Sequence, residues 1–424
     1  MKNVLLIFVI SYFSLAIISC RSGGSGNSTS DDSNGNDTSG VGITNNSGIS
    51  TLVFSKIIID PEAQSSADYW EFASEIIETS DGGYVAVGLS VSEAWPSPKN
   101  MEDVLIIKLN GNGEVLWNKK INHRNYDRAT SVVEDKDGNY VLTGFTSKDG
   151  NDKSDVLFAK VNAQGTVLVK KAINISNNYD GGYSISKTLD WGYVIAGEAG
   201  SSHNEDFMIL KVDDNGTKKW KKKFSDAEDD SAYDVLEASD GNYYLVGSKR
   251  IINKYEDVRI IKTDSSGGKI WDKNFGGDRD DIGEGIVETE NNTFVVAAST
   301  YSYGTNGDVL LLKINSDGDL IWQKTYGGDK EDQLREVDGN TVSGRHLSKT
   351  PDDGYLVSGY TKSYAEQNTD MWVFKTDASG TLLWEYVYPT DGEDCAFSAK
   401  QQSDGSVIIF GSGYDEDLLI VKIR

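Results

Sequence analysis

The sequence predicts an all-β protein, a seven-bladed β-propeller of four-stranded antiparallel blades whose ring is closed by pairing of the N-terminal strand with the C-terminal blade. Three observations lead to this fold. The chain repeats with a period of roughly 50 residues, a length typical of radial or stacked architectures. Two short segments recur seven times each along it. The middle strands are apolar on consecutive positions, which indicates that both of their faces are buried.

The first recurring segment is a turn followed by a strand. Asp-Gly and related pairs in the turn favour a hairpin, and the β-branched and aromatic residues after it favour a strand. The seven copies begin at Ser80, Lys136, Leu189, Ser239, Glu290, Pro351 and Ser403. We assign the second strand of each blade to these segments.

The second recurring segment opens with Asp and closes with Lys. Its seven copies begin at Asp103, Asp155, Asp206, Asp257, Asp308, Asp370 and Asp417. A β-sandwich would leave one face of such strands in water, whereas stacked blades bury the middle strands between two neighbours. The recurrent Lys is expected to place its ammonium on a nearby carboxylate while its stem packs between sheets.

The fourth strand of each blade carries an aromatic or apolar residue at a fixed place. These residues are Trp117, Trp220, Trp271, Trp322 and Trp384, with Phe54 and Val169 in equivalent positions. The segment "TLVFSKII" at Thr51 is such a fourth strand with no blade before it, and the chain ends on "DLLIVKIR", a third strand with no fourth behind it. We therefore expect the two terminal fragments to pair, which removes open sheet edges.

The run from Gly276 to Gly328 resembles the seven-bladed propeller repeats of secreted and surface-anchored bacterial proteins, and the Trp positions resemble docking residues of quinoprotein-like propellers. The resemblance covers residues 51–424 and implies that the Trp side chains pack blade against blade. It implies no particular activity. One unit departs from the pattern, because the insertion "REVDGNTVSGRHLSK" lengthens the start of the sixth blade.

The N-terminus reads as a lipoprotein signal peptide over residues 1–19, with a basic Lys2, an apolar run and Ser19 before Cys20. The stretch "LAIISC" resembles the lipobox of bacterial lipoproteins, which implies acylation of Cys20 and attachment to a membrane of the cell envelope, expected to be the outer membrane. The alternative is an ordinary signal peptide with an incidental Cys20. Residues 20–50 are rich in Gly, Ser and Asn and predict a flexible linker to the propeller at 51–424.

The net charge of −25 argues against nucleic-acid binding and favours a soluble, monomeric protein that attracts cations or basic partners. An acidic residue lies where the chain enters each innermost strand: Glu71, Asp127, Asp180, Asp230, Asp281, Asp332 and Asp394. If exposed, these would form an acidic ring at a channel mouth that could hold a cation. If buried, each would accept backbone N–H bonds at the connection between blades.

The connections between second and third strands vary in length, and variable loops on a rigid scaffold are a common place for recognition. Aromatic residues gather there: Trp95, Tyr255, Tyr301, Tyr303, Tyr364 and Tyr414. They predict a face for a protein partner or a glycan, although each ring could equally pack on its own loop.

Catalytic and cofactor signals are weak. The only histidines, His123, His203 and His346, lack metal or triad spacing, and Cys395 is expected to be a buried small residue. Turns such as "LNGNGE" resemble calcium loops superficially, but hairpin turns explain them. No cofactor is predicted, with bound Ca²⁺ as the alternative. The leading hypothesis is therefore a non-catalytic scaffold that binds an envelope or extracellular protein. A glycan-binding or cation-binding propeller and a glycosidase or lyase are the alternatives.

Overall fold

The structure, a computed structural model, describes residues 52–58, 69–92, 101–148, 153–201, 204–225, 228–251, 255–334, 345–365, 368–388, 393–412 and 418–424. These residues form 29 β-strands and one short 3₁₀ turn. No helix in the described ranges is long and apolar enough to cross a membrane. The predicted signal peptide, Cys20 and the linker lie outside these ranges.

The strands follow one another in a regular order, and we number the blades from the first complete one. The N-terminal strand and blades 1 and 2 comprise β1 (Leu52–Ile58), β2 (Tyr69–Glu78), β3 (Tyr84–Ser92), β4 (Met101–Leu109), β5 (Val115–Ile121), β6 (Tyr126–Glu134), β7 (Tyr140–Ser147), β8 (Ser154–Val161) and β9 (Val167–Ile173). Blades 3 to 5 comprise β10 (Tyr179–Lys187), β11 (Tyr193–Ser201), β12 (Asn204–Val212), β13 (Lys218–Phe224), β14 (Asp230–Glu237), β15 (Tyr243–Arg250), β16 (Glu256–Thr263), β17 (Lys269–Phe275), β18 (Asp281–Thr289), β19 (Thr293–Thr300), β20 (Asp308–Ile314) and β21 (Leu320–Tyr326). Blades 6 and 7 comprise β22 (Asp332–Gln333), β23 (Leu347–Lys349), β24 (Tyr355–Thr361), β25 (Asp370–Thr376), β26 (Leu382–Tyr388), β27 (Cys395–Gln401), β28 (Val407–Ser412) and β29 (Leu418–Ile423).

Strands that are consecutive in the chain pair antiparallel within each blade, which confirms the predicted all-β propeller architecture. One parallel bridge, between Glu102 and Tyr126, joins the sheets of blades 1 and 2. The last blade has the order β1, β29, β28, β27, so its outer strand comes from the N-terminal end of the described chain. Strand β1 runs antiparallel to β29, with Leu52 opposite Ile423 and Ile58 opposite Leu418.

The core is divided among the spaces between blades. Each hydrophobic cluster joins two adjacent blades, because the second and third strands are buried on both faces, as their unbroken apolar runs predict. One cluster joins blade 7 to blade 1 and contains Ile76, Leu105, Phe397 and Phe410. The first and last blades therefore pack together in the same way as neighbours in sequence do.

The fourth-strand Trp residues link each blade to the next, as their spacing predicts. The Nε1 of Trp117 donates to the carbonyl of Ala163 at 3.0 Å, and the Nε1 of Trp271 donates to the carbonyl of Ser316 at 3.1 Å. Both acceptors lie in a turn of the following blade. The predicted role of these residues in packing blade against blade is confirmed at these two positions.

The recurrent Lys at the end of the third strand holds the turn between the first and second strands. Lys108 Nζ lies 2.8 Å from Asp81, and Lys211 Nζ lies 2.6 Å from Asp190. Both ammonium groups are buried, whereas the carboxylates reach solvent. Blade 5 differs, because its turn carries no Asp at that place and Lys313 Nζ lies 3.4 Å from the Tyr355 hydroxyl instead.

Glycines in the second strands mark close approach of two backbones. A Cβ on Gly144 would lie 1.8 Å from the Arg128 carbonyl oxygen, and a Cβ on Gly197 would lie 1.9 Å from that of Gly181. Both contacts fall at a β-bulge of the innermost strand, where the register shifts between Ala129 and Ser131 and between Gly182 and Ser184. The glycine requirement is thus a consequence of the bulge.

Blade 6 interrupts its innermost strand at this bulge. Strands β22 and β23 both pair with β24, and the inserted segment separates them. Arg345 and His346 follow the undescribed residues 335–344 and precede β23. The insertion therefore begins at the position where the other innermost strands carry the extra residue of the bulge. Arg345, which follows the insertion, lies at the centre of the ring.

Candidate functional site

The described acidic residues at the start of the innermost strands do not form an exposed ring. Asp127, Asp180, Asp281 and Asp332 are fully buried, and Asp230 and Asp394 are 1% exposed. The side chain of Glu71 lies outside the described set. This corrects the interpretation of these residues as an acidic channel mouth, because the six described carboxylates have no exposed surface with which to hold a cation.

These carboxylates instead organise the connection between blades. Asp127 accepts the N–H of Arg124 at 2.7 Å, and Asp180 accepts that of Ile175 at 2.7 Å. Asp332 accepts the N–H of Gly328 at 2.6 Å. In blade 4, Asp230 pairs with the buried Arg259 at 2.8 Å. The second of the two alternatives, backbone acceptors between blades, is the one that this geometry matches.

The loop face carries the connections between second and third strands, and its tyrosines are divided between packing and exposure. Tyr301 donates to Glu331 at 3.1 Å, and its pKa is raised to about 12 by burial and by that carboxylate. Tyr303 donates to the carbonyl of Gly276 at 2.8 Å. Both hydroxyls are therefore used within their own neighbourhood.

Two other tyrosines of the loop face remain accessible. Tyr255 is 49% exposed and lines a cavity of ≈ 220 Å³, and Tyr364 is 39% exposed with its ring 6.1 Å from that of Trp372. Trp95 and Tyr414 lie outside the described residues. The predicted aromatic face is thus represented by two separate accessible rings, and no continuous platform is formed by the tyrosines that the structure describes.

The turns that resemble calcium loops are tight hairpin turns. Asn110 Oδ1 accepts the N–H groups of Asn112 and Glu114 at 2.9 and 3.0 Å, and Gly113 has a φ of +72°. The same arrangement recurs at Asn315, where Gly318 has a φ of +74°. The side-chain oxygen that resembled a metal ligand is occupied by backbone donors. Among the described residues, no group of three or more His, Cys, Asp or Glu side chains is placed to hold a metal ion.

The opposite face of the ring, which we call the turn face, carries the turns between first and second strands. At its centre lies a cavity of ≈ 580 Å³, the channel-mouth cavity. The ends of five innermost strands contribute to its wall: β2, β6, β10, β23 and β27. Its ionisable lining residues are Glu78, Glu134, Lys187, Arg345, Lys349, Asp353 and Lys400.

Arg345 forms the inner end of this cavity. Its Nη2 lies 3.1 Å from Ser184 Oγ in blade 3 and 3.3 Å from Asp234 Oδ1 in blade 4, and its Nε lies 3.5 Å from Glu75 Oε1 in blade 1. The guanidinium thus crosses the channel from blade 6. Below it, a second cavity of only ≈ 10 Å³ is lined by Arg345 and its partners, which is about the space of one water molecule.

A second feature of the turn face lies next to this cavity, two residues beyond Lys187. The turn of blade 3 exposes two large apolar side chains, Leu189 at 75% and Trp191 at 66%. Lys136 Nζ lies 5.9 Å from the centroid of the Trp191 ring. Two exposed apolar side chains on one turn form a local hydrophobic protrusion.

Trp191 has an unusual backbone conformation for a bulky residue. Its φ is +64°, in the left-handed region, where a Cβ is unfavourable. Four other blades place Gly there, namely Gly82, Gly138, Gly241 and Gly405. A tryptophan at such a position costs stability, and with 66% of its surface exposed Trp191 regains little of that cost through burial.

The backbone of this turn is nevertheless firmly held. Leu189 N–H donates to Glu237 of blade 4 at 2.7 Å, and Lys211 Nζ donates to Thr188 Oγ1 at 2.7 Å and to Asp190 at 2.6 Å. Trp191 N–H donates to the Thr188 carbonyl at 3.0 Å. The two apolar side chains are therefore presented on a rigid support.

Comparison with solved structures finds β-propeller proteins of low sequence identity. Chaetomium thermophilum Sqt1 is 10% identical, with a TM-score of 0.47 over 84% of this chain and 97% of that one. The periplasmic gluconolactonase PpgL of Pseudomonas aeruginosa is 11% identical, with a TM-score of 0.45 over 73% of this chain and 83% of that one. Penicillium chrysogenum α-L-arabinanase, solved with arabinobiose, is 10% identical, with a TM-score of 0.44 over 69% and 92%. No protein-family model matches the sequence, and no curated protein sequence matches it.

Sequence reasoning missed both features of the turn face. The channel-mouth cavity depends on Arg345, whose segment was recognised only as an insertion that departs from the repeat. Trp191 was visible as a signal, because "LDWG" replaces the Asp-Gly of other turns. A substitution of Gly by Trp at a turn position that requires a positive φ is a departure that sequence comparison between the blades can find.

Proposed function

We propose that the protein is a membrane-anchored, non-catalytic binding propeller that contacts an envelope protein through the Leu189–Trp191 turn. The observation that carries this proposal is the exposed, left-handed Trp191 on a braced turn. Backbone strain of this kind is concentrated at functional sites, where the strained conformation is part of the function. Tryptophan is also the residue type most enriched at the energetic centre of protein interfaces.

The chemistry of the partner follows from the turn and its surroundings. Leu189 and Trp191 require an apolar cleft, and the chain as a whole carries a net charge of −25. A partner with an apolar cleft and a basic rim complements both properties, since opposite charges increase the rate of encounter. The rigid turn lowers the entropy lost on binding, because the two side chains are already displayed.

Membrane attachment is part of the same proposal. The lipobox-like segment before Cys20 supports acylation of that residue, and the linker that follows would let the ring present its turn face to a neighbour in the envelope. In the Cys20→Ala variant, the protein should move from the membrane fraction to the soluble fraction after cell disruption. Equal sedimentation of the variant with membranes would contradict the lipid anchor.

The interface is tested by placing a photo-crosslinking amino acid at residue 189 of the full-length protein in its native membrane. We expect a discrete adduct with one protein. The matched control is residue 403, which occupies the equivalent exposed position in the turn of blade 7. A Trp191→Gly background should reduce the adduct, and purified partner should bind that variant at least ~10-fold more weakly, as expected for a hot-spot tryptophan.

The competing hypothesis is that the partner binds the loop face. A variant with Tyr255→Ala and Tyr364→Ala removes the two accessible rings of that face. If partner binding is lost in this variant and kept in Trp191→Gly, the interface lies on the loop face and the turn-face assignment is wrong. Failure to obtain any adduct from residue 189 would also overturn it.

A further inference from the structure

The channel-mouth cavity contains a cation that the fold does not use. Among the described residues, no hydrogen bond or ion pair is made by the ammonium group of Lys400, although this side chain lines the cavity at the end of β27. Of the neighbouring cations, Arg345 pairs with Asp234 at 3.3 Å and Lys349 pairs with Asp353 at 2.7 Å, whereas Lys187 is exposed at the end of β10. A lysine that is partly buried without a partner is costly unless something supplies the missing acceptor.

Two of the three carboxylates near Lys400 accept hydrogen bonds from other donors. The charged groups around it are Arg345 of blade 6, Glu75 and Glu78 of blade 1 and Asp234 of blade 4. Glu75 Oε2 accepts from Ser131 Oγ at 2.7 Å and from the N–H of Val132 at 2.9 Å.

Asp234 is occupied in the same way. It accepts from Ser184 Oγ at 2.6 Å and from the N–H of Ile286 at 3.0 Å, besides its contact with Arg345. Two of the three nearby carboxylates, Glu75 and Asp234, therefore already accept hydrogen bonds from other residues of the propeller. The third, Glu78, is exposed at the end of β2.

The titration of Lys400 is consistent with a vacant acceptor position. Burial lowers its pKa, and the positive charge of Arg345 lowers it further, against the opposing effect of Glu75, Glu78 and Asp234. An anion that enters the cavity would restore the pKa, because a nearby negative charge favours the ammonium form.

The apolar residues that line the cavity indicate the chemistry of the uncharged part of the ligand. Ile77, Val133 and Pro351 contribute apolar surface beside the lysines. A volume of ≈ 580 Å³ lies within the range of small-molecule sites, which combine apolar walls with a few polar groups. An ion without an apolar part would leave these walls unused.

We propose that the channel-mouth cavity binds a small organic carboxylate, with the carboxylate on the Lys400 ammonium and the apolar part against Ile77, Val133 and Pro351. This site is separate in chemistry from the protein interface proposed above. Each can fail without the other, since one is tested with small molecules and the other with a protein partner.

The test is calorimetric titration of the full-length protein in detergent with benzoate, butyrate and glucuronate. Each is compared with an uncharged counterpart, namely benzamide, butyramide and glucose. At least one carboxylate should bind saturably, and its counterpart should bind at least ~10-fold more weakly, which corresponds to about 1.4 kcal/mol. The affinity should fall as the pH rises through the pKa of Lys400, because only the ammonium form attracts the anion.

Variants locate the binding. Lys400→Gln should weaken the carboxylate at least ~10-fold, whereas Lys222→Gln, on the exposed outer strand β13, should leave it unchanged. Lys400→Arg keeps a cation and should retain binding, which guards against a Gln variant that fails to fold. The melting temperature of each variant is measured first, and removal of an unpartnered ammonium should leave it equal or higher.

Several outcomes would overturn the proposal. These are the absence of saturable binding by all three carboxylates, equal binding of an amide and its acid, and unchanged affinity in Lys400→Gln. Binding of inorganic phosphate in place of the carboxylates would show that the class of ligand is wrong.

Discussion

At the scale of single residues, a recurring set of charged side chains fixes the backbone of the connections and turns. The buried Asp127, Asp180 and Asp332 fix the connections between blades through N–H donors. Asp81 and Asp190 fix the turns through buried lysines. Part of the strongly acidic composition is therefore used in structural contacts that recur from blade to blade.

These contacts predict how the protein responds to acid. Partial burial alone would raise the pKa of Asp81 and Asp190, but hydrogen bonds from Lys108 and Lys211 lower each pKa to about 2. The pKa of an unfolded Asp is about 3.9. The stabilisation of the folded state by these ion pairs is therefore present above that pH and is lost as the pH falls from about 4 to about 2. Both carboxylates are more than half exposed, so we expect below about 1 kcal/mol from each pair.

The measurement is the urea midpoint between pH 5 and pH 2. The double variant Asp81→Asn and Asp190→Asn should be less stable than the wild type at pH 5 and should lose less stability on acidification. Asp317→Asn, at an exposed turn position, serves as the control. Parallel acid profiles for wild type and double variant would show that these pairs do not contribute.

Residue-level prediction from sequence succeeded where the residue recurs and failed where it does not. The Lys-to-carboxylate contact and the buried Cys395 follow from a pattern or from composition. The burial of the acidic residues at the start of the innermost strands could not be predicted from the sequence. An Asp at the start of a strand can be exposed to solvent or can be buried and accept backbone hydrogen bonds. Only the positions of the backbone donors decide between the two.

At the scale of elements, six of the seven turns between first and second strands share one backbone hydrogen-bond pattern, whereas blade 5 has a short 3₁₀ turn. The turns differ in the side chains that they display. Gly82, Gly138, Gly241 and Gly405 adopt the left-handed conformation without cost, whereas Trp191 adopts it with a Cβ. The innermost strands likewise share a bulge, and in blade 6 the chain inserts a segment there. In both cases, a residue that departs from the repeat, Trp191 or Arg345, enters where the backbone already departs from regular strand geometry.

The strained turn gives a stability prediction that separates its role in binding from any role in folding. Trp191→Gly should stabilise the protein by about 0.5–1 kcal/mol, because relief of the left-handed strain exceeds the extra chain entropy of glycine. Leu189→Ser, in the same turn, should change stability by less than about 0.5 kcal/mol. Chemical denaturation of both variants provides the measurement. A loss of more than 1 kcal/mol in Trp191→Gly would mean that the ring supports the fold, which would remove the argument for an interface.

Elements were the most predictable level of this structure. The recurrence of turn, apolar strand and Trp-bearing strand predicted the order and pairing of the strands, because each blade repeats the same local signals. The cavity at the channel mouth was not predictable, since it depends on how five strand ends and Arg345 meet across the ring. No local sequence pattern specifies that convergence.

At the scale of the whole molecule, the pairing of β1 with β29 joins the two ends of the described chain. Six register pairs connect them, and without β1 the strand Leu418–Ile423 would present an unpaired, largely apolar edge. Such edges pair with other chains and promote aggregation. The N-terminal strand is therefore expected to contribute to stability and solubility out of proportion to its length.

Deletion of residues 1–61 tests this contribution, with deletion of residues 1–50 as the matched control that keeps β1. The shorter protein should lose on the order of 5 kcal/mol, from about six backbone hydrogen bonds at about 1 kcal/mol each, and should aggregate at concentrations at which the control stays monomeric. Thermal melts and light scattering give the two measurements. A synthetic peptide of residues 51–60 should restore the melting temperature by adding the missing strand in trans. An unchanged melting temperature after the longer deletion would show that β29 does not depend on its partner, and that the packing of blade 7 on blade 1 alone holds the ends of the ring together.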